Sequence, residues 1–196
     1  MKQLTIATRL SLLIGLMSLL LASVGGLGLW GLHSSQEGLR TIYEDRTVPL
    51  KQLEIIATLQ LKNQLLLSEA LRLPAPAERK PLVQLVEKNT AVIGQTWTAY
   101  MATYLTPQEA QLASTFADQR ARYLQEALKP ALKALESEDT TSADRLMKEQ
   151  VIPMHAKGQK TLEDLLQLQL DVAMEEFKSA SVRYQRILWS SLSSVL

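Results

Sequence analysis

The chain has 196 residues, room for one domain of ordinary size and a membrane anchor. Its 21 Lys and Arg nearly balance 20 Asp and Glu, so no net field recommends a nucleic acid or another polyanion as partner. Cysteine is absent, which excludes disulfides, thiolate metal sites and thiol nucleophiles.

Lys2 and Arg9 precede an uncharged, Leu-rich run from Leu10 to Leu32. As a helix this run rises about 34 Å, enough to cross a hydrocarbon core of roughly 30 Å. Leu21-Ala-Ser-Val-Gly-Gly26 is a faint cleavage candidate for a signal peptide. The apolar stretch nevertheless runs on to Trp30, as an interfacial anchor does. Residues 1–9 are therefore expected in the cytoplasm and 10–33 as a first transmembrane helix, because positive charge stays inside. From residue 34 onward the chain is expected outside, in the periplasm.

After Gly38 the glycines are Gly94 and Gly158, so tight turns are few and sheets are disfavoured. Pro74-Ala-Pro76, Leu105-Thr-Pro107 and Ser137-Glu-Asp-Thr-Thr-Ser142 divide the remainder into pieces at 34–73, 76–105, 107–136 and 141–189. Thr106, Pro107 and Glu109 read as a helix start, and Thr141 or Ser142 as another. Apolar residues recur at helical spacing, as in Leu50, Leu53, Ala57, Leu67, Leu71 and in Leu112, Phe116, Tyr123, Ala127. Short connections make neighbours antiparallel. The expected fold is all-α, an antiparallel up-down-up-down four-helix bundle over residues 34–186, continuous with transmembrane helices. Residues 187–196, apolar and carrying Trp189, are expected to begin a second membrane helix that the chain cuts short. Pro49 and Pro153 should kink or loosen the outer helices. Tyr43-Glu-Asp-Arg46 reads as a solvated junction near the membrane.

The candidate ligand residues lie in the membrane-distal half, where polar side chains interrupt apolar stripes. Asn63 and Gln64 interrupt the stripe of Leu53, Ala57, Leu67 and Leu71, and Asn89 that of Leu82, Leu85, Val86 and Ile93. Arg120, four residues after Phe116 and three before Tyr123, shares their helix face. Arg72 and Arg79 flank the first break. A guanidinium grips a carboxylate with two donors, and a phenol or an amide can complete such a site. The residues thus point to a small organic anion, a dicarboxylate or an amino acid. The competing reading is that such polar residues set helix register or cap carbonyls. No phosphate loop, zinc-protease motif or nucleophile elbow appears, and His33 and His155 stand alone. No catalytic residue, metal site or cofactor is expected.

Thr8-Arg-Leu-Ser-Leu-Leu-Ile-Gly15, Val24-Gly-Gly-Leu-Gly-Leu-Trp-Gly31 and Ile42-Tyr-Glu-Asp-Arg-Thr-Val-Pro-Leu50 carry a resemblance. With Asn63, Glu69-Ala-Leu-Arg72 and Val151-Ile-Pro153, they resemble the four-helix-bundle sensor of bacterial methyl-accepting chemotaxis proteins. The resemblance implies a homodimer in the inner membrane, a periplasmic site in the membrane-distal half and a small displacement of the last helix as output. It also implies a cytoplasmic part, with a kinase complex, that this chain ends before reaching. The family's amino-acid receptors use several arginines near the end of the first bundle helix. Here Arg72 stands where one of them would, while Ser68 and Asn63 replace others, which puts aspartate-type recognition in doubt. Two readings compete with a chemoreceptor sensor: the sensor of a membrane histidine kinase or cyclase, and a structural membrane-tethered helical bundle.

Overall fold

A computed structural model of the chain describes residues 5–195. Met1–Leu4 of the expected cytoplasmic segment and Leu196 of the expected second membrane helix lie outside the described residues. The α-helices are α1 (Ile6–Ile42), α2 (Val48–Arg72), α3 (Pro76–Met101), α4 (Pro107–Arg122), α5 (Lys129–Glu136), α6 (Thr140–Leu146) and α7 (Ile152–Val195). Among the described residues there is no strand.

Three π-helical turns, Tyr43–Thr47, Tyr123–Leu128 and Met147–Val151, join α1 to α2, α4 to α5 and α6 to α7. Each is followed, two residues on, by a proline: Pro49, Pro130 and Pro153. A proline inside a helix offers no N–H, and its ring strikes the carbonyl four residues back. That carbonyl belongs in each case to the π turn, at Asp45, Glu126 and Glu149. Widening the turn removes the conflict without breaking the rod. The kinks expected at Pro49 and Pro153 thus take the form of π turns, with a third before Pro130.

The caps follow from local chemistry. Thr106 Oγ1 accepts the Glu109 N–H at 3.3 Å, while the Glu109 carboxylate accepts the Thr106 N–H at 2.6 Å, a reciprocal capping box. The last break differs from the sequence reading: Asp139 Oδ1 accepts the Ser142 N–H at 2.9 Å, so Asp139 caps α6 and the helix starts at Thr140. Bonds from Ser142 hold the Asp139 carboxyl below its ordinary range. The second bundle helix stops at Met101 rather than 105, with the Thr103 hydroxyl donating to the Tyr100 carbonyl at 2.7 Å.

The chain divides into two compact units. One holds the chain up to Tyr43 and from Met174 onward. In it the stretch Ile6–Gly38 is long and apolar enough to cross a membrane, with mean hydropathy 2.2. It exposes Leu13, Leu20, Leu29 and Trp30 along its length.

The other unit, Glu44–Ala173, is the antiparallel four-helix bundle. Its interior has two apolar cores. The first gathers Leu66, Leu67, Val83, Val86, Leu128, Leu132, Leu135, Met147 and Val151 near the α2–α3 and α5–α6 turns. The second gathers Leu53, Ile56, Ile93, Trp97, Tyr100, Phe116, Leu162 and Leu165. Beside the second core Arg46 Nη1 donates to Glu109 Oε1 at 3.2 Å and Oε2 at 3.5 Å, with side chains 2% and 0% exposed. The junction expected to be solvated therefore carries a buried ion pair, because the π turn Tyr43–Thr47 brings Arg46 against the start of α4.

Candidate ligand layer

Between the two cores every helix of the bundle changes chemistry at the same level. In α2 the inward positions run Leu53, Ile56, Gln60, Asn63, Leu67, Ala70, spaced alternately by three and four. In α3 Asn89 and Thr90 fall between Val86 and Ile93, and in α4 Arg120 falls between Phe116 and Tyr123. In α7 His155 and Gly158 fall between Val151 and Leu162. The heptad stripe is apolar above and below and polar here, so the bundle holds a transverse polar layer.

Part of the layer is closed on itself. Asn89 Nδ2 donates to Asn63 Oδ1 at 2.9 Å, Asn63 Nδ2 donates to Thr90 Oγ1 at 3.3 Å, and Thr90 Oγ1 donates to the Val86 carbonyl at 2.7 Å. This chain of bonds staples α2 to α3. The remainder is open. Gln60 Oε1, the Tyr123 hydroxyl and His155 Nε2 are buried without hydrogen-bond partners among the described residues. Buried polar atoms are seldom left this way, and each orphan asks for an explanation. The His155 ring meets the Tyr123 ring edge-on, with centroids 6.4 Å apart. Burial pulls the His155 imidazolium below its ordinary pKa and pushes the Tyr123 phenol up to about 12, so Tyr123 is an uncharged hydroxyl at physiological pH.

Arg120 is the charge in this layer. Its guanidinium is half-buried and neither donates to nor forms an ion pair with any described residue. Burial holds its pKa below the ordinary arginine value; arginine nonetheless stays charged. The tip has room because Gly94 on α3 lies beside it: a Cβ built there would stand 3.2 Å from Arg120 Nη2. Arg120, Gln60, Asn63, Thr90 and Tyr123, with Ile93, Leu124 and Leu128, line a cavity of about 10 Å³, room for one water. Tyr123, Leu124 and Leu128 all belong to the π turn of the third rod.

Of the residues expected to bind, Asn63, Arg120 and Tyr123 thus meet on one cavity, and Asn89 is bonded to Asn63. Arg72 and Arg79 stand elsewhere. Arg72 is exposed at the end of α2. Arg79 is buried and donates to the Leu73 carbonyl at 2.8 Å and the Pro74 carbonyl at 3.0 Å, closing the α2–α3 turn as a cap. Gln60, Thr90, Gly94 and His155 belong to the layer and were missed. Gln60 was findable, since alternate steps of three and four from Leu53 and Ile56 land on it. His155 looks isolated in the sequence because its partner ring, Tyr123, is remote along the chain. The layer offers one cation and neutral hydrogen-bonding groups, which suits holding an anion. Among the described residues no group of three His, Asp or Glu is placed to hold a metal.

A family model described as Tar ligand binding domain homologue matches residues 1–173. The chain is also 29% identical over 191 residues to a methyl-accepting chemotaxis protein, NahY, of Pseudomonas putida. That match covers 94% of this chain and 34% of the relative, so the chain spans about a third of the relative's length. The four-helix bundle is consistent with the family match. The chain belongs to the family of Tar ligand-binding-domain homologues.

Proposed function

We propose that this chain is the membrane-anchored sensor region of a chemoreceptor and that its bundle binds a small organic anion at Arg120. The observation that carries this reading is a half-buried guanidinium with no acidic partner, set in a layer of orphaned polar atoms. A structural arginine at such depth is ordinarily paired, because an uncompensated charge is costly to desolvate. We further propose that the bundle is periplasmic, held between a membrane helix at 10–33 and a second starting at 187. In this arrangement the receptor works as a homodimer and α7 carries the signal toward a cytoplasmic kinase-controlling region. The basic flank of Lys2 and Arg9 supports that orientation.

The test is a thermal melt of the full chain in detergent micelles against a panel of small carboxylates and neutral sugars. A bound anion at 100 times its dissociation constant stabilises by about 2.7 kcal/mol. Some carboxylates should raise the transition, sugars should not, and Arg120→Ala should abolish the rise while melting near the wild type when unliganded. If no carboxylate moves the transition, or the shift survives in Arg120→Ala, the anion site is wrong.

A further inference from the structure

We infer that the ligand of this layer is a small, singly charged hydroxycarboxylate, and that dicarboxylates and α-amino acids are rejected; this rests on Arg120 being the anion site. Charge comes first. The cavity lining has one cation, Arg120, and no acidic side chain. One guanidinium matches one carboxylate with two parallel bonds. A second carboxylate would enter a half-buried site with nothing to neutralise it, and an α-ammonium would find no anion there.

Hydrogen bonding then separates the monocarboxylates. Gln60 and Tyr123 both line this cavity, and the Gln60 amide oxygen and the Tyr123 hydroxyl are buried without hydrogen-bond partners. A hydroxyl donates to one and accepts from the other. A plain alkyl carboxylate leaves both orphaned, as they are now. Asn63 and Thr90 are already spent on each other and on Asn89, so they shape the wall without adding a charge. Ile93, Leu124 and Leu128 supply apolar contact for a short carbon chain.

Size is set by the wall that can yield. A cavity of about 10 Å³ admits a three-carbon acid only if it widens. Of the eight lining residues, Tyr123, Leu124 and Leu128 sit in one π turn, a form that is rare in helices and frequent at functional sites. Entry is therefore expected to shift the Tyr123–Leu128 segment while α2 and α3, stapled by Asn63 and Asn89, stay in register.

The experiment titrates the full chain in detergent micelles with four three-carbon probes: lactate, propionate, malonate and alanine. Lactate should bind at least tenfold more tightly than propionate, while malonate and alanine should give no measurable binding. Gln60→Leu removes an unpaired buried group and should fold; in it lactate should fall to the level of propionate. Tyr123→Phe, which keeps the ring edge against His155, should do the same. Hydrogen exchange at the amides of Tyr123–Leu128 should change with lactate and not with malonate. Malonate or alanine binding as tightly as lactate overturns the assigned class, as does equal binding of lactate and propionate or no binding of any of the four. The two readings part on Arg120→Ala. A different carboxylate whose binding is lost in that variant leaves the anion site standing and removes only the hydroxycarboxylate. A carboxylate that binds the variant unchanged removes both.

Discussion

Replacing Arg46 with Met should cost the bundle about 3–5 kcal/mol, because it leaves the Glu109 carboxylate, 0% exposed, without its cation. Glu109 holds two posts at once. It accepts the Thr106 N–H that begins α4, and it accepts Arg46 Nη1 from the π turn that begins α2. Losing the guanidinium leaves the cap in place but strands its charge next to Tyr100, whose phenol burial pushes up to about 12. Adding Glu109→Gln to Arg46→Met should recover most of the loss, since the amide oxygen still accepts from Thr106 and no charge remains buried. Thermal and denaturant melts of the chain in micelles read both variants. A single variant that melts with the wild type would mean that the pair contributes nothing net.

Phe116→Ala should cost a comparable amount, about 3–5 kcal/mol, through the cavity left behind. Phe116 is 0% exposed and its ring lies 4.8 Å from that of Trp97, tilted at 55°. Across from it stands Gly158, 3.9 Å from the ring at the position of a Cβ. Glycine has no side chain to fall into the space, so relaxation is limited and the upper part of the range is expected. Arg120 sits one turn further along α4, and the same variant should weaken ligand binding through loss of the packed turn beneath it. A melt within 1 kcal/mol of the wild type would contradict this account of the second core.

Much of the bundle is legible in the amino-acid sequence, and the reasons are local. Pro76, the Thr106-Pro107-x-Glu109 box and the polar run from Ser137 mark helix boundaries through chemistry that acts within four residues. Arg120 and Tyr123 are legible as a pair because a spacing of three places them on one face. The π turns are not, since each depends on whether a proline's conflict is relieved by a kink, a break or a widened turn, and proline alone does not say which. The burial of Arg46 is not legible, because a Glu-Asp-Arg string beside a membrane segment looks solvated and its partner Glu109 lies 63 residues away. Arg79 shows the opposite error: a conspicuous arginine at a bundle end is spent on two carbonyls of its own turn. Gln60 and His155 look like ordinary helix residues until the four stripes are laid side by side and change to polar at one level.

A membrane-held sensor with its bundle outside the cell membrane and an anion site at Arg120 should respond to an external anion. One measurement tests this directly. Residues 1–196 are fused to the cytoplasmic kinase-controlling region of a chemoreceptor, and kinase activity is read in intact cells as a charged, membrane-impermeant carboxylate that stabilises the chain is added to the medium. The wild-type fusion should change kinase activity, and the Arg120→Ala fusion, present in the membrane at the same level, should not respond. Equal responses from the two fusions would contradict the site. A wild-type response that appears only once the membrane is made permeable would contradict the orientation.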